Sequence, residues 1–130
     1  RHPKVEAETF EKASKGVRKS RLDETDTTIV KDIVSGRYVG FEKFDLTDVG
    51  AVELGFVEKP AAGWQVEVRL NAPEGELVGK SVLAEKMQVV LSGKNLAGIC
   101  PVYFVFRNSK SAEASLGGLD WIWFRRKDVQ

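Results

Sequence analysis

Three carboxylates near opposite ends of the chain are residues whose types could do chemistry together. Glu6 and Glu8 lie in Val5-Glu6-Ala7-Glu8-Thr9-Phe10, and Asp120 lies in Leu119-Asp120-Trp121-Ile122-Trp123-Phe124. Both segments read as β-strands, in which side chains at i and i+2 share a face. Glu6 and Glu8 then point one way, and Val5 and Ala7 the other. If the first and last strands lie side by side, Asp120 joins the two glutamates. Three carboxylates meeting at a strand end repel one another unless a cation sits between them. Hard oxygen ligands of that kind suit Ca²⁺. Spacing alone favours a plainer pattern, solvent-facing glutamates on an edge strand and an aspartate at a turn.

Other chemistries are bounded by composition. His2 is the single histidine of the 130 residues and lies at a terminus, so Ser-His-Asp or Cys-His catalysis would have to be built on that one terminal residue and is disfavoured. Cys100 is the single cysteine and forms no internal disulfide. It precedes Pro101 and an apolar run, where a small buried residue is expected. Twenty basic residues against 19 acidic ones give a net charge of +1. That balance argues against a nucleic-acid partner, which would want a basic stripe. No apolar run has the length of a membrane span. The chain is expected to be one monomeric domain, residues 1–130, with a core that needs no disulfide help. Its first residue is Arg, as expected of a mature or excised piece of something longer.

The elements that position these residues are strands. Alternation or β-branched composition predicts strands over 4–10, 28–34, 37–44, 50–58, 64–71, 77–84, 87–92, 101–107 and 119–124. The cleanest is Trp64-Gln65-Val66-Glu67-Val68-Arg69-Leu70-Asn71. It sets Trp64, Val66, Val68 and Leu70 on one face and Gln65, Glu67, Arg69 and Asn71 on the other. Ala72-Pro73-Glu74-Gly75 is a turn by chemistry. A helix over 6–21 fails because its apolar residues do not keep a 3.6 period. Short strands with Gly, Pro and Asn between them indicate an antiparallel sandwich or barrel.

Six pieces carry a family resemblance. They are Val5-Glu6-Ala7-Glu8, Ser35-Gly36-Arg37-Tyr38-Val39, Trp64 to Leu70, Pro73-Glu74-Gly75-Glu76-Leu77-Val78-Gly79, Val102-Tyr103-Phe104-Val105-Phe106, and Leu119 to Phe124. Each is weak alone, but their order and spacing cover nearly the whole chain. In them the sequence resembles a family 6 carbohydrate-binding module, an all-β antiparallel sandwich of jelly-roll type. The resemblance implies a non-catalytic domain that binds polysaccharide and is covalently linked to the catalytic domain of a secreted enzyme. It also implies a structural calcium. Glu6, Glu8 and Asp120 fall on the family's ligand positions, with main-chain oxygens expected from 16–23. The resemblance turns the reading of the three carboxylates towards calcium.

The sequence departs from the family at the usual sugar site. Loops at one end of the sandwich there clamp a sugar between two aromatic rings, with an Asn before the final strand. Here the Asn position is Gly118, the loop Ala84-Glu85-Lys86-Met87 has no aromatic residue, and neither does Thr25 to Val30. A second family site lies on the concave face of one sheet. For it the sequence offers Tyr38, Glu67, Arg69 and Trp123, each out of phase with the apolar residues of its strand. Alternatively, Tyr38 and Trp123 are ordinary packing, and Glu67 and Arg69 are surface cross-strand partners. Three functions are therefore in play. The chain is a polysaccharide-binding module, a spacer or protein-docking module that has lost sugar binding, or, least supported, a glycoside hydrolase using Glu67 and Glu42.

Overall fold

The computed structural model of the protein describes residues 4–6, 12–21, 28–83, 86–93, 98–116 and 118–126. Among these residues, eleven strands form two antiparallel sheets, and there is no helix. One sheet runs β3 (Arg18–Arg21), β4 (Thr28–Lys31), β11 (Leu119–Arg126), β6 (Val49–Phe56) and β9 (Lys86–Val90), with β1 (Lys4–Glu6) also paired to β11. The other runs β2 (Lys12–Ala13), β5 (Tyr38–Asp45), β10 (Ile99–Asn108), β7 (Trp64–Leu70) and β8 (Glu76–Val82). From β4 onward the chain changes sheet at each connection except β7 to β8, the winding of a jelly roll.

Alternation explains how the sheets meet. Trp64, Val66, Val68 and Leu70 are all buried, as their spacing predicts. With Phe104 and Phe106 of β10 they pack on Val52 and Leu54 of β6 and Ile122 of β11 in one core. Phe104, Phe106 and Ile122 are fully buried, and each such side chain contributes about 1.5–3 kcal/mol.

Two strands stop short of their sequence patterns where a left-handed residue turns the backbone. The 28–34 strand stops at Lys31 because Asp32 takes a left-handed conformation (φ 64°), leaving Ile33 as an isolated bridge to Leu116. β7 stops at Leu70, where Asn71 turns (φ 73°) into the predicted Ala72–Gly75 turn, closed by Gly75 N–H donating to the Ala72 carbonyl at 2.9 Å. Of the predicted 4–10 strand, β1 covers 4–6, and 7–11 lie outside the described residues. β2 and β3 have no apolar alternation and are not legible as strands. β3 reads Arg-Lys-Ser-Arg and lies at the edge of its sheet.

Candidate functional site

The outer face of the five-stranded sheet gathers most of the residues that could bind a ligand. Alternation on β7 sends Gln65, Glu67 and Arg69 to this face, away from buried Val66 and Val68. On β10 it sends Tyr103, Val105 and Arg107 there, away from buried Phe104 and Phe106. Register fixes their neighbours. Glu67 lies opposite Val105 on one side and Lys80 of β8 on the other. Val105 in turn lies opposite Tyr38. The next row is Leu77, Arg69, Tyr103 and Gly40, and the row on the other side includes Val82, Gln65 and Arg107.

Glu67 organises the middle of this face. Its Oε1 accepts from Arg69 Nε at 3.0 Å and its Oε2 from Arg107 Nε at 3.1 Å. Arg69 Nη1 also donates to the Gly75 carbonyl at 2.8 Å, tying the sheet face to the turn after β7. The sequence places Glu67 outward, and it is so, but the carboxylate is buried: only 7% of the residue is exposed. Burial pushes its pKa up, and this is outweighed by the two arginine hydrogen bonds and the charges behind them, so the group sits below the usual carboxylate value. A carboxylate held ionised on both oxygens is the opposite of a glycosidase acid, which needs a raised pKa and a free proton. Glu67 is thus a positioner of guanidinium groups.

The aromatic part of the face is a tyrosine pair. Tyr38 and Tyr103 meet edge to face, ring centroids 5.6 Å apart at 72°. Gly40 makes this possible, because a Cβ there would come within 2.5 Å of the Tyr103 ring. Tyr103 therefore lies over the bare backbone of β5. It is 7% exposed, while Tyr38 is half-buried and forms the accessible edge of the pair. Ser14 fixes the Tyr38 backbone: its N–H donates to the Tyr38 carbonyl at 3.1 Å, and its Oγ accepts from the Tyr38 N–H at 2.9 Å. Tyr103 is absent from the sequence-derived site. It sits in the near-continuous apolar run Val-Tyr-Phe-Val-Phe, where parity has no polar partner to reveal it. Its hydroxyl was the available signal.

Trp123 does not join this site. The structure places it on β11 of the six-stranded sheet, opposite Lys4 and Glu53, whereas Tyr38, Glu67 and Arg69 are on the other sheet. Out-of-phase parity tells which face of its own sheet a residue takes, but not which sheet that is.

The first and last strands lie side by side. β1 runs antiparallel to β11, with Glu6 opposite Trp121, the neighbour of Asp120. Asp120 is half-buried beside a register break that admits both Leu119 and Ile122 to the core. Glu8 lies outside the described residues, and among those described no group of three acidic, cysteine or histidine side chains could hold a metal. At the loop end, Gly118 is buried and its carbonyl accepts from Val57 N–H at 2.9 Å. Residues 25–27 and 84–85 lie outside the described residues.

No family model matches the sequence, and no curated protein does. Solved structures do match. A β-1,3-glucan-binding family 6 module from Bacillus halodurans superposes with a TM-score of 0.77 at 23% identity, over 95% of this chain and 96% of that one. A family 6 module from Clostridium cellulolyticum, solved with xylose, gives 0.76 at 23% identity over 96% and 98%. The chain has the fold of a family 6 carbohydrate-binding module. The same fold occurs within a larger protein, a family 43 arabinoxylan arabinofuranohydrolase from Bacillus subtilis, at a TM-score of 0.77 and 20% identity. There the match covers 97% of this chain and 27% of that one. The chain covers both of these family 6 modules nearly end to end.

Proposed function

We propose that the chain is a non-catalytic polysaccharide-binding module that seats its glycan on the outer face of the five-stranded sheet, at Tyr38, Glu67 and Arg69. The observation that carries this is the placement of the Tyr38 ring edge in the row beside guanidinium groups held rigid by buried Glu67. A pyranose presents a patch of C–H bonds that packs on an aromatic ring, and its hydroxyls need directed donors and acceptors. On an open face such contacts give affinities on the order of 0.1–1 mM. The module serves to hold an attached catalytic domain of a secreted protein at its substrate. The arabinofuranohydrolase that contains this fold as one part supports that arrangement. A structural Ca²⁺ is part of the proposal. Glu6, Glu8 and Asp120 would hold it with hard carboxylate oxygens and tie the chain ends together, and the pairing of β1 with β11 supports it.

Among the described residues no helix is long and apolar enough to cross a membrane. The loop-end sequence, with Gly118 where the family places Asn, favours a second reading, a spacer or protein-docking module. Native affinity electrophoresis through a panel of β-glucans, xylans and algal polysaccharides separates the two. Retardation by at least one polymer is expected. Unchanged mobility across the panel would favour the spacer or docking role.

A further inference from the structure

We infer that the glycan on this face is acidic, its carboxylate or sulfate ester being met by Arg107 and Lys80. The inference rests on the proposed glycan-binding role of the face and names the class of sugar it takes.

The charges on the face do not cancel locally. Glu67 is buried, and Arg69 already balances it at 3.0 Å. Arg107 also reaches Glu67, but only through Nε. Its terminal nitrogens have no partner among the described residues, and its side chain is 49% exposed. Lys80 stands directly opposite Glu67 on β8, exposed and without an ion pair among the described residues. Two cationic heads therefore bracket a carboxylate that is already neutralised. The exposed acidic Glu42 lies on β5 two residues beyond Gly40, at the opposite end of the face from Arg107.

Geometry fits the ligand class. With its Nε on Glu67, Arg107 keeps a fork of terminal N–H groups that matches the two oxygens of a carboxylate or sulfate. Register sets Arg107 and Lys80 on either side of β7, two strand spacings and one row apart. Strand spacings of about 4.8 Å and residue rises of about 3.4 Å leave their heads within reach of one or two sugar units. Leu77 and Val82, 43% and 66% exposed, give β8 apolar surface for the ring C–H bonds between charged substituents. Tyr38 marks the opposite edge of the same row as Lys80 and Glu67.

Matched polymer pairs provide the test. Titration calorimetry would compare a polyuronate with its carboxyl-reduced form, and a sulfated galactan with its desulfated form. The acidic member of at least one pair should bind on the order of tenfold tighter at about 0.05 M salt, where the screening length exceeds about 10 Å. The pair that shows the difference identifies carboxylate or sulfate ester as the recognised group. Lys80→Gln, which breaks no hydrogen bond or ion pair among the described residues, should erase most of the preference and leave neutral binding in place, and Arg107→Gln should also erase most of the preference. Arg107→Lys should retain part of it. Equal binding within both pairs, or a preference unchanged in Lys80→Gln and Arg107→Gln, would overturn the inference while leaving the glycan-binding role intact. Loss of all binding, acidic and neutral, by the wild-type protein would remove both.

Discussion

Glu67 and Arg107 sit on neighbouring antiparallel strands, diagonally rather than directly opposed, and still meet at 3.1 Å. With Arg69 at 3.0 Å on the other oxygen, the carboxylate is fully engaged. Glu67→Gln should lower stability by about 1–3 kcal/mol, since it removes the charge from a buried acceptor of two arginine hydrogen bonds. The low end is expected, because Arg107 is half exposed and partly screened.

The same pair gives a pH dependence with a definite sign. The folded pKa of Glu67 lies below its ordinary value. Its contribution is therefore complete above the unfolded carboxylate pKa of about 4.3 and disappears as the pH falls through the lower folded value. Urea midpoints of wild type and Glu67→Gln should differ at neutral pH and converge under acid. A gap that widened on acidification would contradict the arrangement.

Gly40 and Tyr103 should be energetically coupled. Gly40→Ala puts a methyl into the Tyr103 ring at 2.5 Å and should cost about 1–3 kcal/mol. In a Tyr103→Ala background the same change should cost much less, a coupling that a double-mutant cycle on thermal or urea unfolding would read directly. Additive costs would show that the ring does not lie over β5.

Much of this was legible in the sequence. Alternation at Trp64–Leu70 disclosed both the core face and the outward Glu67 and Arg69. The phase of Tyr38 against Val39 and Phe41 placed it on the outer face. Alternation does not say which strands share a sheet, which is why phase alone groups Trp123 with residues of the opposite sheet. Nor does it show that Glu67 is buried with both oxygens engaged, because one of its arginine partners, Arg107, comes from β10, 40 residues away along the chain. β2 and β3 were invisible because hydrogen bonds to β5 and β4, not apolar residues, make them strands.

The calcium proposal predicts a stability linked to the ion. A site that binds only the folded state raises stability by about 2.7 kcal/mol at a hundredfold excess over Kd. Exhaustive chelation should lower the melting temperature, Ca²⁺ should restore it, and Asp120→Ala should abolish the difference. Identical melting curves after exhaustive stripping and after Ca²⁺ addition would rule out the three-carboxylate site.

Cys100 is half-buried against the core, and burial pushes its thiol pKa up. Native protein should react slowly with a thiol reagent and denatured protein quickly. Rapid stoichiometric labelling of the native form would contradict the packing at the start of β10.

The central claim is that glycan binds the outer face of the five-stranded sheet and not the loop end. Affinity electrophoresis of wild type, Tyr38→Ala and a Glu85→Ala loop variant, in the polymer that retards the wild type most, tests it directly. Loss of one aromatic contact of about 0.5–1.5 kcal/mol predicts roughly two- to twelvefold weaker retention for Tyr38→Ala. The loop variant should run as wild type. Full retention of Tyr38→Ala, with retention lost in the loop variant, would move the site to the loop end and contradict the account.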